Sequence, residues 1–135
     1  MGVIQALEID LFCQATEDWE RVRRAVREVV GVTPAEKKLQ GYWSNPILHL
    51  TARVEGKLAE ELASRIAESV EISDFKSRSG KNAFYVRLDK KAFVKGKFRA
   101  GNDVRVVFRL KLFPSGEDRV AGEMRKFWAM HKSSK

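Results

Sequence analysis

The stretch from Val104 to Phe113 alternates along its length, with Val104, Val106, Phe108, Leu110 and Leu112 on one side and Arg105, Val107, Arg109 and Lys111 on the other. Successive side chains of a strand point to opposite faces, so this pattern predicts a strand with one face in a core and one in water. Val3 to Cys13 repeats it, setting Leu7, Ile9 and Leu11 against Glu8 and Asp10. Ile47 to Val54 does so again, with Leu48, Leu50, Ala52 and Val54 opposite His49, Thr51 and Arg53. Strands of this kind need a partner layer on one side only. The chain must therefore build a sheet whose second face stays open.

Helical spacing fills the intervals. Trp19, Val22, Val26 and Val29 mark a first helix, with Thr16 as its expected N-cap, Glu17 and Asp18 in the first turn and Gly31 at its end. Leu58, Ala59, Leu62, Ala63 and Ile66 form the stripe of a second helix over Lys57 to Val70. Ala83 to Leu88 reads as a further strand, and Asp89 to Gly96 as a single helical turn. A short edge strand is placed near Leu39 to Trp43. Ser115 with Asp118 resembles a capping box opening a last helix, whose face carries Val120, Met124 and Phe127. The expected architecture is α+β: a two-layer sandwich with a mostly antiparallel four-stranded sheet, helices on one face and the order β-α-β-α-β-β-α. One domain is expected over residues 1–135, a length that suits one core. Trp19 and Trp128, with apolar helical neighbours, are assigned to packing.

The formal net charge is +8, and it is local. Between Lys81 and Lys111 stand Lys81, Arg87, Lys90, Lys91, Lys95, Lys97, Arg99, Arg105, Arg109 and Lys111, against only Asp89 and Asp103. Phe84, Tyr85, Phe93, Phe98 and Phe108 are interleaved with them. Concentrated positive charge beside aromatic rings suits a polyanion with stackable bases. Arg105, Arg109 and Lys111 share a strand face, along which successive side chains recur at about 6.6 Å, near the phosphate spacing of an extended nucleic-acid strand, and Arg87 joins them from the neighbouring strand. Lys90, Lys91, Lys95, Lys97 and Arg99 surround Gly96 as a mobile loop that follows a phosphate backbone. Lys76, Arg78 and Lys81 add donors from a serine-rich loop. Phe84 and Phe108 fall on the buried alternation, leaving Tyr85, Phe93 and Trp43 as stacking candidates. Arg21, Arg23, Arg24 and Arg27 read instead as a self-paired helical surface.

Signals for catalysis are sparse. Glu8 and Asp10 share a strand face, as a metal-dependent nuclease requires, but no further ligands stand at a recognisable spacing. His49 lacks an identifiable helper, and Cys13 suits a small buried hydrophobe. No glycine-rich phosphate loop, serine elbow or metal-ligand spacing is present. Neither enzymatic activity nor a cofactor or metal is expected. No apolar run approaches the roughly 20 residues of a membrane span, and the start of the chain lacks the pattern of a signal peptide. A cytoplasmic protein without a membrane partner is therefore expected. Its oligomeric state stays open, a dimer included.

Three segments carry a resemblance. Ala15-Thr16-Glu17-Asp18, Gly41-Tyr42-Trp43-Ser44-Asn45-Pro46-Ile47, and Leu88-Asp89-Lys90-Lys91-Ala92-Phe93 with Lys95-Gly96 and the basic strand are similar to stretches of the archaeal RNA-binding proteins predicted to be exosome subunits. The resemblance implies an archaeal protein with a fold akin to the 5S-rRNA-binding protein of the large ribosomal subunit. It implies rRNA or tRNA processing or exosome-linked decay, with exosome or ribonuclease P components as further partners, and brings no catalytic residues. The competing expectation is a module that binds an acidic protein such as an exosome subunit.

Overall fold

Ile4–Cys13 forms β1, and its apolar alternation holds: Leu7, Ile9, Leu11 and Cys13 are buried. It lies near the middle of a sheet that also contains β2 (Ala35–Gln40), β3 (Pro46–Glu55), β4 (Arg78–Ser79), β5 (Ala83–Leu88) and β6 (Val104–Leu110). The spatial order is β2-β3-β1-β6-β5-β4, with every neighbouring pair antiparallel. The computed structural model describes residues 3–41, 45–75 and 77–132.

The helices are α1 (Trp19–Val30), α2 (Gly56–Ser69), the short α3 (Lys90–Val94) and α4 (Glu117–Lys132), with a 3-10 turn at Ile72–Asp74. α1, α2 and α4 cover one face of the sheet, and their buried residues join those of β1, β3, β5 and β6 in one cluster. Trp128 anchors α4: its ring packs near Phe75, Phe84 and Phe108, and its indole Nε1 donates to the Val70 carbonyl at 2.7 Å. Trp19 donates likewise to the Gln14 carbonyl at 2.9 Å. Gly31 ends α1 with φ of 94°, the left-handed conformation a glycine adopts without a Cβ clash.

The sheet thus has six strands where four were expected, and the chain order becomes β-α-β-β-α-β-β-α-β-α. Both added strands are edges. In β2 five of six residues are exposed, because an edge strand beyond the helices has little to bury, and so it shows no alternation. It also spans Ala35–Gln40 and not the stretch near Leu39 to Trp43. β4 has two residues, too few for a periodic signal. α1 starts later than expected: Asp18 is its N-cap, accepting the Arg21 N–H at 3.2 Å, and Thr16 lies outside it. Leu58 is exposed, the buried stripe of α2 being Ala59, Leu62, Ala63, Ile66 and Ala67. α4 begins at Glu117, two residues beyond Ser115, and buries Val120, Met124 and Trp128.

Candidate nucleic-acid interface

The face of the sheet opposite the helices carries the polar half of each alternation. In register across it stand Lys37 with His49, His49 with Phe12, Arg53 with Glu8, and Thr51 and Arg105 on either side of Asp10. Arg87 faces Arg105, Tyr85 faces Val107, and Arg78 faces Tyr85. Arg109 lies between Ala6 and Ala83, small neighbours that leave its long side chain room. Val107 is buried although it belongs to this face, its register neighbours being Glu8 and Tyr85.

Two carboxylates organise the cations. Glu8 accepts from Arg109 through Oε1 at 3.0 Å and from Arg53 through Oε2, and Arg53 also donates to Glu55 at 2.9 Å. The Arg109 hydrogen bond holds the Glu8 carboxyl below its ordinary value; burial opposes this and Arg53 reinforces it. Asp10 accepts from Arg105 Nε at 2.9 Å through one oxygen, while its other oxygen lies 3.5 Å from His49 Nε2. These pairs are half exposed on the arginine side, with 48% exposure for Arg105 and 43% for Arg109. A guanidinium has five N–H donors, so each arginine keeps donors to spare after its carboxylate is satisfied. Glu8 and Asp10 therefore hold arginines, and the described residues contain no group of three His, Cys, Asp or Glu that could hold a metal ion.

Arg87 differs from its neighbours. It is exposed, it donates to the Asn102 carbonyl at 3.3 Å, and it stands directly across from Arg105. Like charges opposite each other on neighbouring strands repel. At the next strand Arg78 lies over the Tyr85 ring at 4.9 Å, a cation–π contact that occupies one ring face. Lys81 and Lys111 are exposed just beyond the start of β5 and the end of β6, beside the Arg109 end of the face.

The remaining basic residues form a second, separate surface. Lys91, Lys95, Lys97 and Arg99 line a cleft of about 850 Å³ together with Asp74 and Asp89, between the end of α2 and the connection from α3 to β6. This connection is pinned and not a free loop: Lys97 N–H donates to the Ala92 carbonyl at 2.9 Å and Asp89 N–H to the Arg99 carbonyl at 2.8 Å. Gly101 permits it, since a Cβ there would stand 2.5 Å from the Asp89 Cα. Phe93 and Phe98 are its buried anchors, with ring centroids 6.5 Å apart. Phe93 is 1% exposed and cannot stack on a base. Lys90 is also drawn inward: its Nζ donates to the Phe12 carbonyl and to Glu17, both at 2.8 Å. Burial raises the Glu17 carboxyl, yet the hydrogen bonds from Lys90 and from the Gln14 N–H outweigh it, and the net shift is downward.

The basic residues expected as one site are thus divided. Arg78, Lys81, Arg87, Arg105, Arg109, Lys111 and Tyr85 belong to the sheet face, Lys91, Lys95, Lys97 and Arg99 to the cleft, and Lys90 and Phe93 to the interior side. Trp43 and Lys76 lie outside the described residues. Sequence reasoning missed Lys37, Arg53 and Phe12 as members of the face. The alternation of Ile47 to Val54 sets Arg53 on the polar side, but only the pairing with Glu8 shows what it joins. Of the α1 arginines expected to pair along the helix, Arg23 instead donates chiefly to Glu36 of β2, at 2.6 Å and 3.1 Å, with Glu20 of the helix at 3.5 Å. Cys13 is buried, which pushes its thiol up to about 11. Among the described residues no helix is long and apolar enough to cross a membrane.

Comparison with known proteins gives a consistent picture. A family model described as RNA binding matches residues 6–111. The chain is 29% identical over 130 residues to an uncharacterized protein of Methanocaldococcus jannaschii, covering 82% of this chain and 87% of that one. Its fold is similar to that of a DUF54 protein from Methanothermobacter thermautotrophicus, with a TM-score of 0.75 and 25% identity over 93% of this chain and 98% of the other. A DUF54 protein from Sulfolobus solfataricus shares the fold with a TM-score of 0.66 at 16% identity, over 93% and 98% of the two chains.

Proposed function

The chain belongs to the RNA-binding family whose model spans residues 6–111, and from that membership we propose that it binds RNA through the open face of its sheet. The observation that carries this reading is the Arg87–Arg105 pair. Two arginines stand opposite each other in register on β5 and β6, both exposed and both on the face the helices leave uncovered, with Arg105 held by Asp10 and Arg87 by the Asn102 carbonyl. A phosphate there can accept charge-assisted hydrogen bonds from the spare donors of both. The carboxylates add to this. By fixing Arg53, Arg105 and Arg109 in place, Glu8 and Asp10 reduce the side-chain entropy lost when those arginines meet a ligand. The same carboxylates dilute the positive field, so affinity comes from placed donors more than from net charge.

In this reading the protein acts on RNA without catalysis of its own, since Glu8 and Asp10 are engaged in positioning arginines. A role in rRNA or tRNA processing or in exosome-linked decay, and kinship of the fold with the 5S-rRNA-binding ribosomal protein, rest on the resemblance in the Ala15–Asp18, Gly41–Ile47 and Leu88–Gly96 segments and the basic strand. The separate cleft at Lys91, Lys95, Lys97 and Arg99 favours a second reading, in which an acidic protein partner such as an exosome subunit docks there while RNA occupies the sheet.

Titrating labelled RNA against the wild type and an Arg87→Ala/Arg105→Ala variant at several salt concentrations tests the proposal. Each phosphate contact removed is expected to lower the log–log salt slope by about 0.7 for a single strand. Identical affinity and slope in the variant would move the RNA off this face.

A further inference from the structure

At one end of the open face, two rings stand outside both the core and the paired arginines. Phe12 of β1 is 44% exposed, and its ring stacks on that of His49 with centroids 4.3 Å apart and planes 12° from parallel. The stack follows from the register, which sets Phe12 directly opposite His49. On the other side of β1 the partner strand runs out: the β1–β6 pairing ends at Leu11 with Val104. The imidazole therefore takes one face of the Phe12 ring, and no strand residue stands across from the other.

A carboxylate flanks the platform. Asp10, the next same-face residue of β1, lies 3.5 Å from His49 Nε2 with one oxygen and holds Arg105 Nε at 2.9 Å with the other. Nε2 itself is buried and makes no hydrogen bond among the described residues. Asp10 thus holds the Arg105 guanidinium and sets a carboxylate beside the imidazole. Along β1 the sequence of same-face features is the Phe12–His49 stack, then Asp10 with Arg105, then Glu8 with Arg109. Each step along β1 is about 6.6 Å, close to the phosphate repeat of an extended single strand, and Arg105 and Arg109, four residues apart on β6, stand about two such repeats from each other. Lys37 of β2, opposite His49 in register, adds a cation on the outer side of the stack.

We propose that the Phe12–His49 pair is a stacking platform for an unpaired base, so that the face takes single-stranded RNA laid along β1 with its phosphates at Arg105 and Arg109. This rests on the reading of the open face as the RNA-binding surface. A duplex offers no free base to the ring, whereas any base of a single strand presents a π-face. The platform therefore selects for strandedness and tolerates sequence.

The test measures binding of a short oligoadenylate, with and without its complementary strand annealed, to the wild type, Phe12→Ala, Phe12→Tyr and Arg105→Ala/Arg109→Ala. Phe12 is at the surface, so its variants are expected to melt as the wild type does. Phe12→Ala should lose roughly 5- to 150-fold in affinity for the single strand, keep the salt slope and leave duplex binding unchanged, while Phe12→Tyr restores the affinity. Unchanged single-strand binding in Phe12→Ala overturns the platform, and if the arginine variant still loses affinity the face itself stands. Equal losses for single strand and duplex also overturn it. Unchanged binding in all variants, or none by the wild type, removes both readings.

Discussion

Glu8 illustrates how single residues on this face serve both stability and function. Its two oxygens hold arginines from the strands on either side, so the sheet is cross-braced on its wet face. Because the Arg109 hydrogen bond keeps its folded-state value below the ordinary 4.5, the contribution is complete above that pH and is lost as pH falls through the lower folded value. Glu8→Gln should therefore cost up to about 1 kcal/mol at neutral pH, the scale of a partly exposed ion pair. Urea unfolding at a series of pH values should show the two proteins converging in acid; a constant difference would assign the cost to shape and not to charge. The outward position of Glu8 is legible from the alternation of Val3 to Cys13. Its partner is not, since Arg109 lies 101 residues away and only the register brings them together. Phe93 was illegible for another reason: a helix of five residues shows no period that would reveal its buried side.

The long strands and helices were readable because each carries a face buried over many residues, whereas edges and ends were not. β2 meets the helical layer too little to alternate, and β4 is too short to show a pattern at all. Helix starts depend on one side-chain hydrogen bond among several competent residues. Thr16 and Asp18 both qualify chemically; Asp18 caps α1 by accepting the Arg21 N–H at 3.2 Å, while Glu17 accepts from the Gln14 N–H at 2.7 Å and from Lys90. Asp18→Ala should accordingly cost about 1 kcal/mol in unfolding free energy, while Thr16→Ala leaves it nearly unchanged. Thermal melts of the two variants decide this, and the reverse order would return the cap to Thr16.

For the whole molecule, the central result is that one basic segment of sequence becomes two surfaces. The strands send Arg87, Arg105 and Arg109 to the open face, while the connection from α3 to β6 folds back toward the helical layer with Lys91, Lys95, Lys97 and Arg99. The alternation separates the strand arginines from the Lys90 to Arg99 connection, but the inward course of that connection is not legible, because it depends on Phe93 and Phe98 anchoring it. The open face joins the two conditions an RNA surface needs: cations at strand spacing and no covering layer. The most direct test follows the Nε–Hε signals of the arginines by NMR during an RNA titration, with the Trp19 and Trp128 indole signals as reporters of the helical side. The account predicts that Arg53, Arg87, Arg105 and Arg109 shift together while Arg99 and both indoles stay in place. Shifts confined to Arg99 and its neighbours, with the sheet arginines unmoved, would contradict it and place the RNA in the cleft.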